Sequence, residues 1–170
     1  MNGESRRKEI VRQLLAAEQP ISASRFAKKF SVSRQIIVGD VALLRAAGAA
    51  INATARGYVL AQERHGYVKK IVCQHTPEQI ADEFMTILAF GGKIIDVVVE
   101  HPIYGEITGG LHIGTEREAQ EYIKMYQNSH AALLSELTAG IHLHTIQCED
   151  EAAFNAITQD LAKKGILYKE

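Results

Sequence analysis

The run IHLHTIQ, residues 141–147, places His142 and His144 two positions apart. In a strand, such residues share a face. Two imidazoles would stand side by side there, with Ile141, Leu143 and Thr145 on the other face. Imidazole nitrogens carry protons and bind metals. An H-x-H pair arises by chance about 0.3 times in a chain with this histidine content. Spacing alone therefore leaves hydrogen-bonded strand histidines as the simpler reading. Two more residues bear on it. His75 ends a separate apolar run, GYVKKIVCQH, and Glu83 follows eight residues later. Around Glu83, the residues Ile80, Phe84, Ile87 and Leu88 form the buried stripe of a helix. Glu83 falls on the edge of that stripe, whereas Glu78 and Asp82 fall opposite. An inward carboxylate needs a partner, because an isolated buried charge is costly. A metal held by three imidazoles would supply one. Three nitrogens and one carboxylate oxygen suit a borderline first-row divalent ion. Cys73 shares parity with His75, and Cys148 with His142 and His144. A thiolate would soften such a site, but both cysteines are read first as small buried hydrophobes.

These residues need elements to position them. Beyond residue 61, strands alternate with helices. GYVKKIVCQH reads as a strand. Thr76-Pro77 opens a helix, with Gln79 completing a T-x-x-Q capping box, and Gly91-Gly92 ends it. KIIDVVVEH is a strand stopped by Pro102, and EITGGLHIG is another. Thr115 and Glu118 cap TEREAQEYIKMYQNS, IHLHTIQ is the next strand, and Asp150 caps DEAAFNAITQDLAKK. GILYK is expected to close the unit as a short strand. The sum is an α/β sandwich with helices on one face of a sheet. Glu83 lies about two turns beyond Thr76, roughly 10 Å of rise, so its helix must lean across the sheet to meet His75.

The first sixty residues differ in charge and pattern. They carry ten Lys/Arg against four Asp/Glu, while the remainder carries nine against sixteen. A basic first third marks a nucleic-acid candidate. SRRKEIVRQLLAA reads as a helix burying Ile10, Val11, Leu14 and Leu15. SASRFAKKF follows as a short helix burying Phe26, Ala27 and Phe30. Ser33 then caps SRQIIVGDVALLRAAG, which buries Ile37, Val41 and Leu44. AAINATARGYVL is read as two short strands around a turn near Arg56-Gly57. This order is that of a winged helix-turn-helix. Ser33, Arg34 and Gln35 open the recognition helix, where Arg can pair with guanine and Gln with adenine. Arg56 is expected at the wing tip, and Lys28, Lys29, Arg6 and Arg7 on phosphates.

The composition is that of an ordinary globular chain, 46% hydrophobic with mean hydropathy −0.08. Two cysteines do not make a disulfide scaffold. No apolar run approaches the roughly 20 residues that span a bilayer, and MNGESRRKEI lacks a signal core. A cytoplasmic protein with no membrane partner is expected.

ISASRFAKKFSVSRQIIVGDVALLRAAG with RGYVL resembles the winged helix-turn-helix at the front of many bacterial repressors and of biotin-protein ligases. Gly39 departs from that pattern, where a longer polar residue is usual. It costs about 1 kcal/mol relative to Ala and removes one possible DNA contact. KKIVCQHTPEQIADEFMTIL, GGKIIDVVVEHPIYGEITGGL and SELTAGIHLHTIQCEDE resemble the three-histidine (3H) domain of the niacin-responsive repressors, the NiaR family. Together the two resemblances cover nearly the whole chain. They imply an α+β protein with a DNA-binding domain at 1–61 and a regulatory domain at 62–170. They imply a homodimeric repressor of niacin and NAD-precursor salvage and transport genes, with operator DNA as partner and nicotinic acid as corepressor. Carried over by motif, the metal ligands are His75, Glu83, His142 and His144. The ion is one divalent transition metal per chain, with nickel, zinc, iron and manganese all chemically open.

His101, Tyr104 and Gly105, in HPIYGEITGG, are candidates to line a small-molecule pocket, since glycine lets backbone N–H groups approach a carboxylate. Two rival functions use the same residues. A metalloregulator would take the ion itself as its signal. A metal-dependent enzyme would need an open coordination position and a general base, and no separate Glu or His stands in that role. The chain is therefore read as a regulator and not an enzyme.

Overall fold

The computed structural model describes residues 2–61 and 65–169. The chain divides into two compact units, residues 1–63 and 64–170. The expected joint at 61/62 runs into residues 62–64, which lie outside the described residues.

The first unit holds α1 (Gly3–Ala16), α2 (Ala23–Phe30), α3 (Arg34–Ala46), β1 (Ile51–Thr54) and β2 (Gly57–Leu60). Each helix begins at a side-chain cap: Asn2 Oδ1 accepts from Ser5 N, Ser22 Oγ from Arg25 N, and Ser33 Oγ from Ile36 N. Ser31, at φ +54°, turns the chain out of α2 in the left-handed region, so three residues suffice to start α3. Ile10, Leu14, Phe26, Ala27, Ile37, Val41 and Ile51 form the core. Antiparallel β1 and β2 make the wing, and Ile21 joins it through paired backbone bonds with Tyr58. A Cβ on Gly57 would come within 2.5 Å of the Ile21 backbone, so glycine is required for that approach.

Two expectations fail in this unit. Leu15 is 73% exposed rather than buried, because the stripe runs through Ile10 and Leu14 and the next residue is turned about 100° away. Arg6 and Arg7 do not stand free for phosphates. Arg6 Nε lies 2.5 Å and Arg7 Nη1 3.3 Å from the carboxylate of Asp40, which is buried in α3.

The second unit holds β3 (Tyr67–Gln74), α4 (Ile80–Ala89), β4 (Lys93–His101), β5 (Gly105–Ile113), α5 (Glu116–Asn128), β6 (Ile141–Cys148) and α6 (Glu151–Lys163). Its strands run β5-β4-β6-β3, each antiparallel to its neighbour. One face of that sheet packs on the helices: Ile71, Ile94, Ile113 and Ile146 meet Phe84, Ile87, Ala119, Ile157 and Leu161 in one core. A short 3-10 turn, Pro77–Gln79, leads into α4, and Thr76 N donates to Gln79 Oε1 as the capping box requires.

The expected last strand, GILYK, is reduced to a single bridge between Leu167 and Cys73. The N–H groups of Ile166 and Leu167 turn back to Leu161 O and close α6, so they cannot extend a ladder. Leu134–Thr138 forms a 3-10 segment with no counterpart in the sequence reading. No described helix is long and apolar enough to cross a membrane.

Candidate metal centre and DNA-contacting elements

β6 sets the histidines. In the β3–β6 register, His142 opposes Cys73 and His144 opposes Ile71, and His144 also opposes Val97 of β4. Alternation turns both imidazoles to the helix-covered face, and both residues are 2% exposed. His75 follows the end of β3. Gly140 (φ +87°) passes so close that a Cβ there would lie 2.6 Å from His75 O. The helix α4 does lean over the sheet, and it delivers Glu83, 1% exposed, into the middle. His75 Nε2 is 2.8 Å from Glu83 Oε2, while His142 Nε2 and His144 Nε2 are 3.3 and 3.4 Å from Oε1.

The far nitrogens explain why the rings point this way. His75 Nδ1 donates to Thr76 O at 2.8 Å, His142 Nδ1 to Gly140 O at 2.8 Å, and His144 Nδ1 to Asp96 O at 2.6 Å. A carbonyl can only accept, so each Nδ1 carries its proton and each neutral ring presents a bare Nε2 lone pair inward. Neutral rings would leave three such lone pairs facing the Glu83 carboxylate, a cluster of acceptors beside the Cys73 thiol. Only protons or a cation can satisfy it. Backbone-anchored imidazoles are also the usual support of metal-binding histidine. Three imidazoles and a carboxylate suit a divalent transition ion, and the ligand atoms that lie mutually close belong to Cys73, Glu83 and His142.

The charges agree. Burial pushes the Glu83 carboxyl up, but the charge on His144 and hydrogen bonds from His142, His144 and His75 outweigh it and hold it well below the carboxylate range. Burial pushes the His75 and His144 rings down, but Glu83 more than reverses that and both are raised. Cys73 lies just beneath. Its Sγ, a Glu83 oxygen and a His142 ring nitrogen are all within 4.8 Å of one another, and burial, then the Glu83 charge, push the thiol up. Cys148 sits at the other end of β6 against Asp150 O.

Beside the centre lies a narrow cleft of about 30 Å³ that opens to solvent. Phe84, Val97, Leu111 and Tyr122 supply apolar walls, and Ser135 supplies a hydroxyl. His101, Tyr104 and Gly105 do not line it. They sit at the β4–β5 hairpin, where His101 Nδ1 accepts from Ile103 N and Tyr104 N and the Tyr104 side chain is 75% exposed. Two neighbours went unread in the sequence. Asp96 holds His144, and its signal was a lone acid within KIIDVVVEH. Asp40 holds Arg6, and its signal was an acid on the buried stripe of α3.

In the first unit, Arg34 and Gln35 are exposed in the first turn of α3, directly after the Ser33 cap. Lys28 and Lys29 are exposed in the last turn of α2. Arg56 lies in the β1–β2 turn, half-buried, with Nη1 3.4 Å from Gln19 Oε1.

Residues 6–59 match the HTH domain family and residues 68–170 the 3H domain family. The probable transcription repressor NiaR of Thermotoga maritima is 41% identical over 98% of this chain and 95% of its own length. The chain belongs to the NiaR family of transcription repressors. A second relative, the transcription repressor NadR of Bacillus subtilis, is 38% identical over 99% of this chain and 96% of its own. As a NiaR-family member the protein is a DNA-binding repressor and not an enzyme. Its front unit binds operator DNA, and its second unit is the 3H domain that carries the buried His/Glu/Cys cluster.

Proposed function

We propose that this repressor controls niacin and NAD-precursor salvage and transport genes in the cytoplasm, with nicotinic acid as corepressor. The observation that carries the reading is the convergence of three imidazole Nε2 atoms on one buried carboxylate beside an apolar cleft. His75, Glu83, His142 and His144 would hold one divalent transition ion. When bound, that ion would supply a Lewis-acidic position for a carboxylate ligand. The flat walls from Phe84 and Tyr122 suit an aromatic ring, and the Ser135 hydroxyl can donate to a polar substituent. An ion held at Glu83 would offset its negative charge and leave a position for an anionic ligand. Ion and nicotinate are therefore expected to bind together.

On the DNA side, Arg34 and Gln35 would read base edges, while Lys28, Lys29 and Arg56 hold phosphates. Ser33 fixes the start of α3 against the groove. A homodimer would set two α3 helices about 34 Å apart, one turn of DNA. Nicotinate binding then favours that spacing.

Operator binding by the metal-loaded chain, titrated separately with nicotinate and nicotinamide, tests the reading. Nicotinate is expected to tighten binding about 5- to 150-fold, and chelation to abolish the effect. Equal operator affinity with and without nicotinate would overturn it. An operator affinity that followed the metal and ignored nicotinate would make the protein a metalloregulator instead.

A further inference from the structure

The three histidines are not anchored alike. His75 and His142 donate to carbonyls one and two residues away, Thr76 and Gly140. His144 donates to Asp96 O, on a different strand and 48 residues distant. Asp96 is itself unusual. It is 9% exposed in the apolar middle of β4, between Ile94-Ile95 and Val97-Val98-Val99, and a carboxylate is costly to bury there.

Its position coincides with an irregularity in β4. Ile94 opposes Ile146 and Asp96 opposes Thr145, so Ile95 is an extra residue with no opposite on β6. The β4–β5 ladder shifts at the same place, and His112 of β5 takes φ +54°. A bulge of this kind locally disrupts the ladder and re-aims the groups beside it. Asp96 Oδ1 accepts from Thr145 N at 3.0 Å, while its backbone carbonyl accepts from His144 Nδ1 at 2.6 Å. One residue thus grips two consecutive residues of β6.

We infer that Asp96 is a positioning residue of the metal centre: its carboxylate pins the bulge in register, so that its carbonyl fixes the rotation and tautomer of His144. The inference rests on the metal-centre reading above. What matters is an acceptor at the Oδ1 position and not the charge. Asp96→Asn keeps that acceptor and loses the charge. Asp96→Glu keeps the charge and moves the acceptor by one methylene. Asp96→Ala removes both.

The metal-free full chain and these variants are titrated with cobalt(II), whose visible spectrum reports ligand geometry. Asp96→Asn is expected to keep the wild-type spectrum and nearly the wild-type affinity. Asp96→Ala and Asp96→Glu are expected to bind about 10- to 100-fold more weakly, with a shifted spectrum. Should Asp96→Ala not fold, the order of the Asn and Glu variants decides. Glu matching wild type while Asn weakens would overturn the positioning role, as would Ala and Glu both binding like wild type. Those results leave the metal centre standing. A wild-type chain that takes up no cobalt overturns the centre and this inference together.

Discussion

Glu83 is the residue on which the second unit's chemistry turns, because three rings converge on one carboxylate in a buried space. Without metal, that cluster makes stability depend on pH in two directions. Glu83 titrates below its ordinary 4.5 when folded, so its contribution is present above that value and lost as pH falls through the lowered one. His75 and His144 titrate above their ordinary 6.5, so their contribution is present below it and lost as pH rises through the raised values. Chelated protein is therefore expected to melt lower at pH 8 than at pH 5.5, and Glu83→Gln to shrink that difference. A chelated wild type that melted higher at pH 8 would contradict the assignment. With metal the trend reverses, because the imidazoles must be deprotonated to bind and affinity climbs with pH.

At the scale of elements, α3 packs its middle into the core and exposes its first turn. Its inner face buries Ile37 and Val41 and also Asp40, which ties α1 to α3 through Arg6 and Arg7. Removing one side of a buried ion pair strands the other. Asp40→Ala is expected to destabilise the first unit by about 3 kcal/mol, measured by denaturant unfolding of the full chain, and an unchanged midpoint would count against that tie. The exposed first turn carries Arg34 and Gln35. Arg34→Ala is expected to cost about 1–3 kcal/mol of operator binding and to relax preference at one base pair. Lys28→Ala and Lys29→Ala are expected to weaken all sequences alike, each lowering the salt slope by about 1. Gel-shift titrations over a salt series separate the two classes, and the same loss on every sequence for Arg34→Ala would demote it to a phosphate contact.

For the whole molecule, the proposed corepression requires that ligand binding in one unit change DNA binding by the other. Thermodynamic coupling is reciprocal, so operator DNA must tighten nicotinate binding by the factor with which nicotinate tightens operator binding. Calorimetric titration of nicotinate into free and operator-bound protein is expected to show that gain, and metal removal to erase it in both directions. Identical nicotinate affinities in the two states would rule out the coupling.

Much of this was legible in the sequence because it depends on local periodicity. The order of helices and strands, the Ser33 cap, the period-two placement of His142 and His144, and the inward edge position of Glu83 all follow from spacings within one element. HPIYG was readable as a break between strands, but not as an exposed hairpin away from the cleft. Where a turn lands depends on the length and register of the strands it joins. Likewise GILYK has strand composition, yet the N–H groups of Gly165, Ile166 and Leu167 are taken by the end of α6, and only Tyr168 N reaches β3, at Val72 O. The bulge at Ile95 was invisible for the same reason: it is a mismatch between β4 and β6, so no property of KIIDVVVEH alone records it. Sequence by itself therefore determined which side chains could bind an ion and which helix could enter DNA. Tertiary structure alone decided that the rings of His142 and His144 meet the Glu83 carboxylate and that Asp96 reaches across to His144. Those are contacts between segments far apart in the chain, and only the packed sheet and helix fix their distances.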